Sequence, residues 1–113
     1  MKLIEIAQRL GLKVEAGVDH LENEVRGGYA GDLLSCVMAR AKTGDLWVTV
    51  QRHPNIVAVA VLVGLAGIVV TEGGNIEPAT LERAEQEGIP ILVSSASAFR
   101  VVGELWDLGI RGE

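Results

Sequence analysis

Hydrophobic residues recur at helical spacing at the start of the chain: Leu3, Ile6, Ala7 and Leu10 share one face, and Gly11 stands where a C-terminal cap belongs. Residues 12–16 then alternate, with Leu12, Val14 and Ala16 set against Lys13 and Glu15, which predicts a short half-buried strand. Residues 17–31 are polar and irregular and predict no regular element. Asp32 reads as the N-cap of a helix that carries Leu34, Val37, Met38 and Ala41 on one face and ends near Gly44.

The second half is more regular. Residues 46–50 (Leu-Trp-Val-Thr-Val) suit a strand, and residues 51–55 break it. Periodicity does not separate strand from buried helix over residues 56–63. A parallel pair needs a crossover between its strands, however, and Pro54 can open a helix, where its missing N–H costs nothing. A helix is therefore expected there, followed by a strand over 67–71. A turn through Gly73-Gly74 leads to a helix from Pro78 to Gly88, then a strand over 89–93. A last helix buries Ala98, Val101, Val102, Leu105 and Leu108 and stops at Gly109. The order amounts to two consecutive βαβ units: an α/β fold with a parallel sheet core and helices packed on it. No linker divides residues 1–113, so a single domain is expected.

Composition supports this picture. The hydrophobic share is 49% with only Trp47, Trp106, Tyr29 and Phe99 as aromatics, so the core is aliphatic, as buried parallel strands require. The formal charge of −5, without a basic stripe, argues against nucleic acid as a partner. Residues 4–12 resemble the first helix of a helix-turn-helix, but the sequel is strand-like and acidic where a basic recognition helix should stand. Cys36 is the only cysteine and reads as a buried, inert thiol. The longest apolar stretch, residues 56–70, is too short to span a membrane and contains two glycines. A cytoplasmic location is expected.

Ligands of open parallel sheets bind beyond the carboxyl ends of the strands. There Arg52, His53 and Asn55 could meet an anion, Thr71 and Gly73 line a turn that backbone can approach closely, and Ser94, Ser95 and Ser97 offer hydroxyls at a helix start. A turn, an N-cap at Ser95 and a solvated Arg52 are the plainer alternatives. A second stretch, Arg26 followed by Gly27, Gly28, Tyr29 and then Asp32, reads as a loop or subunit interface. It matches neither a dinucleotide fingerprint nor a P-loop, and Asp32 would repel a phosphate. No paired acids, triad or metal-ligand spacing is present; His20 with Glu22 is too weak for a metal. No catalytic residue, metal or cofactor is predicted.

The segments 28–39, 44–51, 55–60, 68–73 and 87–92 together resemble the DRTGG domain family, over nearly the whole chain. The family's namesake string is absent, and Gln51-Arg52-His53-Pro54-Asn55 occupies the equivalent turn. The resemblance implies a fold similar to the N-terminal domain of HPr kinase. It also implies an accessory, regulatory role, with catalysis residing in other domains of larger proteins. Self-association as a homodimer is a further implication. The expectation is thus a non-catalytic regulatory module that binds a small anionic metabolite or nucleotide; the alternative is an assembly protein for a partner enzyme.

Overall fold

The computed structural model describes residues 1–112. Along the chain lie α1 (Leu3–Leu10), β1 (Lys13–Ala16), a 3-10 turn (Val18–His20), β2 (Gly27–Ala30), α2 (Leu34–Arg40) and β3 (Asp45–Thr49). They are followed by α3 (Asn55–Val63), β4 (Gly67–Val70), α4 (Pro78–Glu87), β5 (Ile91–Val93) and α5 (Ala98–Asp107). The sheet order is β1-β5-β4-β3-β2. Strands β2 to β5 are parallel, and β1 joins β5 antiparallel, so the sheet is mostly rather than wholly parallel.

Alternation along the strands divides the core in two. Leu46, Val48, Val69 and Leu92 face α1 and α5, packing with Leu3, Ile6, Val101 and Leu105. Trp47, Ile68, Val70 and Ile91 face the other way, against Val37 of α2, Ile56, Val57, Val59 and Ala60 of α3, and Ala84 of α4. This layering follows from the strand order. From β2 to β5 each crossover moves the same way along the sheet, and crossovers of one hand then place α2, α3 and α4 on one face. The opposite face is left for α1 and α5. Helix α3 packs against both α2 and α4, which accounts for its apolar residues on nearly every side.

The helix boundaries are set locally. Gly11, Gly64 and Gly88 end α1, α3 and α4 in the left-handed conformation, each cap N–H returning to a helix carbonyl. Pro78 opens α4. Ser97, not Ser95, caps α5, accepting from the Arg100 N–H at 3.2 Å.

Five expectations need correction. The stretch 17–31 contains a strand: Gly27–Ala30 pairs with β3 in register, so the chain holds three βαβ units, not two. Helix α2 is shorter than expected and ends at Arg40, with Ala41 already extended. Asp32 does not cap it; Leu33 stands at that position and contributes no side-chain hydrogen bond. Met38, expected in the core, is 45% exposed, and Cys36 is only partly buried. Strand β2 leaves little signal in the sequence because two of its four residues are glycine, which carries no alternation.

Candidate functional site

The expected rim residues do come together beyond β3 and β4, but the chain itself uses them. Arg52 Nη1 donates to the Val50 carbonyl at 2.8 Å, and Nη2 donates to the carbonyls of Thr71 (3.2 Å) and Gly73. The Thr80 hydroxyl donates to the Arg52 carbonyl at 2.7 Å, tying α4 to the same point. Arg52 therefore staples the loops after β3 and β4. Its Nε and the Thr71 hydroxyl are buried without a hydrogen-bond partner. His53 is exposed, and its Nδ1 accepts from the Asn55 N–H at 3.1 Å. Ser95 is exposed on the neighbouring loop.

The start of α5 is occupied as well. Glu72 has a φ of 71°, the one positive value at a non-glycine among the described residues. Its carboxylate accepts from the Ala98 N–H at 2.8 Å, so a resident negative charge already faces that helix N-terminus. Crevices at the carboxyl rim form where neighbouring helices leave for opposite faces. Of the adjacent parallel strands only β4 and β5 do this, with α4 on one face and α5 on the other, and there the Glu72–Ala98 bond spans the gap.

A concavity lies elsewhere, along the open edge of β2. It encloses about 800 Å³ and runs from the end of α2 (Ala39 and Arg40) past Gly27, Gly28 and Tyr29 to Trp106 of α5 and the terminal segment 110–112. On the α5 face β2 presents only Gly28 and Ala30, which pair with Leu46 and Val48. These small residues leave room where a larger side chain would fill the cleft. Gly27 is required by contact: a Cβ there would lie 2.8 Å from both the Arg111 carbonyl and Asp45 Oδ1.

Charge in the cleft is opposite to that of the protein. Arg26, Arg40, Lys42 and Arg111, four of the ten Lys and Arg residues, line it, with Asp45 the only acid in the lining among the described residues. The Asp45 carboxylate accepts from the Lys42 backbone N–H at 2.9 Å. Among the described residues no carboxylate lies within 4 Å of Arg26, Arg40 or Arg111. The stem of Arg26 lies across Gly44, where a side chain would stand 3.0 Å from its Cδ. Arg111 sits 4.8 Å above the Trp106 ring, with Nε donating to the Trp106 carbonyl at 3.3 Å. Of the expected interface residues, Gly27, Gly28 and Tyr29 line this cleft, whereas Asp32 lies at the other end of β2, near the rim.

Sequence reasoning missed this grouping because Arg26, the Arg40 and Lys42 pair, Trp106 and Arg111 are far apart in the chain. Among the described residues no group of three or more His, Cys, Asp or Glu side chains could hold a metal, and no helix is long and apolar enough to cross a membrane.

Comparison with known proteins gives one family and one informative structure. Residues 5–107 match the DRTGG domain. The fold is similar to the crystal structure of the CBS and DRTGG domains of the regulatory region of Clostridium perfringens pyrophosphatase, complexed with its activator, diadenosine tetraphosphate. The TM-score is 0.75 at 14% identity, covering 92% of this chain and 45% of that one. The present chain thus spans less than half of that protein's regulatory region. No curated protein sequence matches.

Proposed function

The chain belongs to the DRTGG domain family, and on that footing we propose that it is a non-catalytic regulatory module. It binds a small anionic metabolite or nucleotide, self-associates, and passes the bound state to a partner. The observation that carries this reading is the cluster of four cations around the β2 cleft of an otherwise acidic protein. Such a cleft concentrates anions, and its volume falls within the usual range for small-molecule sites, roughly 300–1,000 Å³. A regulatory region with a nucleotide activator in the structurally similar pyrophosphatase supports the same class of role.

The rim of Arg52, His53, Asn55, Thr71, Gly73 and Ser95 is the second place for the ligand. The buried, unpartnered Arg52 Nε and Thr71 hydroxyl favour it. The cleft has the stronger claim, because the rest of the Arg52 guanidinium is already engaged by carbonyls.

The test is thermal unfolding against nucleotides, acyl phosphates and sugar phosphates, with solution mass recorded in parallel. A ligand at a hundredfold its dissociation constant stabilises the folded state by about 2.7 kcal/mol, a rise of roughly 10 °C or more for a domain of this size. Loss of the rise in Arg26→Ala/Arg40→Ala places the ligand in the cleft; loss in Arg52→Ala/His53→Ala places it at the rim. A flat response from a stable dimer would overturn ligand sensing and favour an assembly role. The exposed Phe99 (92%), Leu62 (72%) and Leu33 (64%) are the observation that favours this second reading.

A further inference from the structure

Resting on the reading of the cleft as an anion site, we propose that its ligand is a nucleoside polyphosphate, its phosphates held by Arg26 and Arg40 and its base stacked on Trp106. Trp106, one of the chain's four aromatic residues, lines the same cleft as four of its ten cations, whereas the Tyr29 ring packs on the opposite face of the sheet. A site for a bare anion has no use for an indole.

Trp106 is 48% exposed, although α5 has a core-facing side on which Val101 and Leu105 are buried. Its ring is held at one end of the cleft by Arg111, which sits over it at 4.8 Å and is itself fixed by the Trp106 carbonyl. A guanidinium so placed can stack on a base or meet a phosphate. Arg26 and Arg40 reach the cleft from other elements, before β2 and at the end of α2. A ligand touching both and also the indole must carry charge and a planar ring at separate places. A single phosphate offers no ring, and a nucleoside offers no charge. Glu24 stands near enough to Arg26 to feel its charge but forms its own contact with the amino terminus. Asp45, the acid in the lining, is held by the Lys42 backbone.

Titration of the full chain with ATP, sodium triphosphate and adenosine, followed by unfolding temperature and tryptophan emission, tests the proposal. ATP is expected to bind, triphosphate to bind more weakly, and adenosine weakest of the three. Base stacking on an aromatic is worth roughly tenfold to a hundredfold in affinity. Trp106→Leu should therefore lower ATP affinity by at least about tenfold and leave triphosphate unchanged, with Trp106→Phe restoring most of the loss. Arg26→Ala/Arg40→Ala should weaken both ATP and triphosphate. If ATP and triphosphate bind equally and Trp106→Leu alters neither, the nucleotide assignment fails while anion sensing stands. Binding of none of the three would overturn the nucleotide and remove the support for anion sensing at this cleft. ATP binding that survives the double Arg variant but is lost in Arg52→Ala would move the site to the rim. A dimer whose mass shows no change but whose cleft is closed to every probe would overturn the proposal in favour of an interface.

Discussion

The Thr49 hydroxyl at the end of β3 donates to Asp32 Oδ1 at 2.8 Å, and the same carboxylate oxygen accepts from the Val50 N–H at 3.0 Å. Asp32 closes the β2–α2 loop onto the neighbouring strand, and the Gln51 side chain returns a bond to the Asp32 carbonyl at 3.0 Å. Thr49 is 1% exposed, so removing its acceptor strands a buried hydroxyl. Asp32→Ala should cost about 1–3 kcal/mol, while Asp32→Asn, which keeps an acceptor oxygen, should cost less. Equal unfolding temperatures for wild type and Asp32→Ala would show that the clasp contributes nothing.

Arg52 invites a sharper comparison. Its planar fork serves three carbonyls at the ends of β3 and β4, a geometry that a lysine ammonium does not reproduce. Arg52→Ala is expected to lose roughly 1–3 kcal/mol and Arg52→Lys to recover little of it. His53→Ala, at an exposed position, should stay within about 0.5 kcal/mol of wild type. Denaturant unfolding of the three variants checks the order.

Close backbone approach at Gly17 gives the largest expected loss. A Cβ there would lie 2.6 Å from Pro90 Cα and 2.7 Å from Pro90 N, at a φ of 73°. Gly11 has a similar φ of 64° with nothing within 4 Å of the same atom. Gly11→Ala isolates the conformational cost, about 1–2 kcal/mol. Gly17→Ala adds overpacking of about 1–3 kcal/mol, because the obstruction is backbone and has no rotamer to change. Similar losses at both positions would contradict the packing argument.

The two tryptophans should be separable by light. Trp47 is fully buried, with Nε1 donating to the Gly31 carbonyl at 2.8 Å, whereas Trp106 is 48% exposed. Trp106→Phe is expected to remove the red-shifted, acrylamide-quenchable part of the emission and leave the blue-shifted part. Trp47→Phe should instead destabilise the fold by losing volume and a buried hydrogen bond.

Two exposed ion pairs near the amino terminus give opposite pH edges. A hydrogen bond from the terminal ammonium, then its charge, holds the Glu24 carboxyl below 4.5, so its contribution is full above that value and fades as pH falls further. The hydrogen bond from Lys2 to Glu22, then the Glu22 charge, raises Lys2 above 10.5, so its contribution persists below that value and is lost as pH climbs through the raised one. Both are exposed and therefore small. Glu24→Gln should flatten only the acid limb of a stability–pH curve and Glu22→Gln only the alkaline limb.

The elements with strong periodicity or firm punctuation were legible: α1 ending at Gly11, α4 between Pro78 and Gly88, and the apolar strands β3 to β5. The helix at Asn55–Val63 was recoverable only through the crossover argument, since its side chains are apolar on nearly every side. Strand β2 was not legible, and with it went the edge that forms the cleft. The cleft itself could not be read from sequence, because Arg40 and Arg111 meet only after α5 and the terminal segment fold back beside β2. At the rim, the same hydrogen-bonding capacity that makes Arg52 attractive for a ligand is met by the Val50, Thr71 and Gly73 carbonyls.

The pairing of the first strand with the last has a consequence during synthesis. Lys13 pairs opposite Val93 and Val14 opposite Leu92, so a chain growing from its amino end cannot place β1 until β5 has left the ribosome. At about 5–20 residues per second, β1 waits on the order of several seconds without a neighbour. Lys13 and Glu15 put a charge at alternate positions of that waiting strand, which discourages pairing with another chain. Nascent chains stalled before Ile91 should therefore be cut readily by protease, and chains extended past Asp107 should resist.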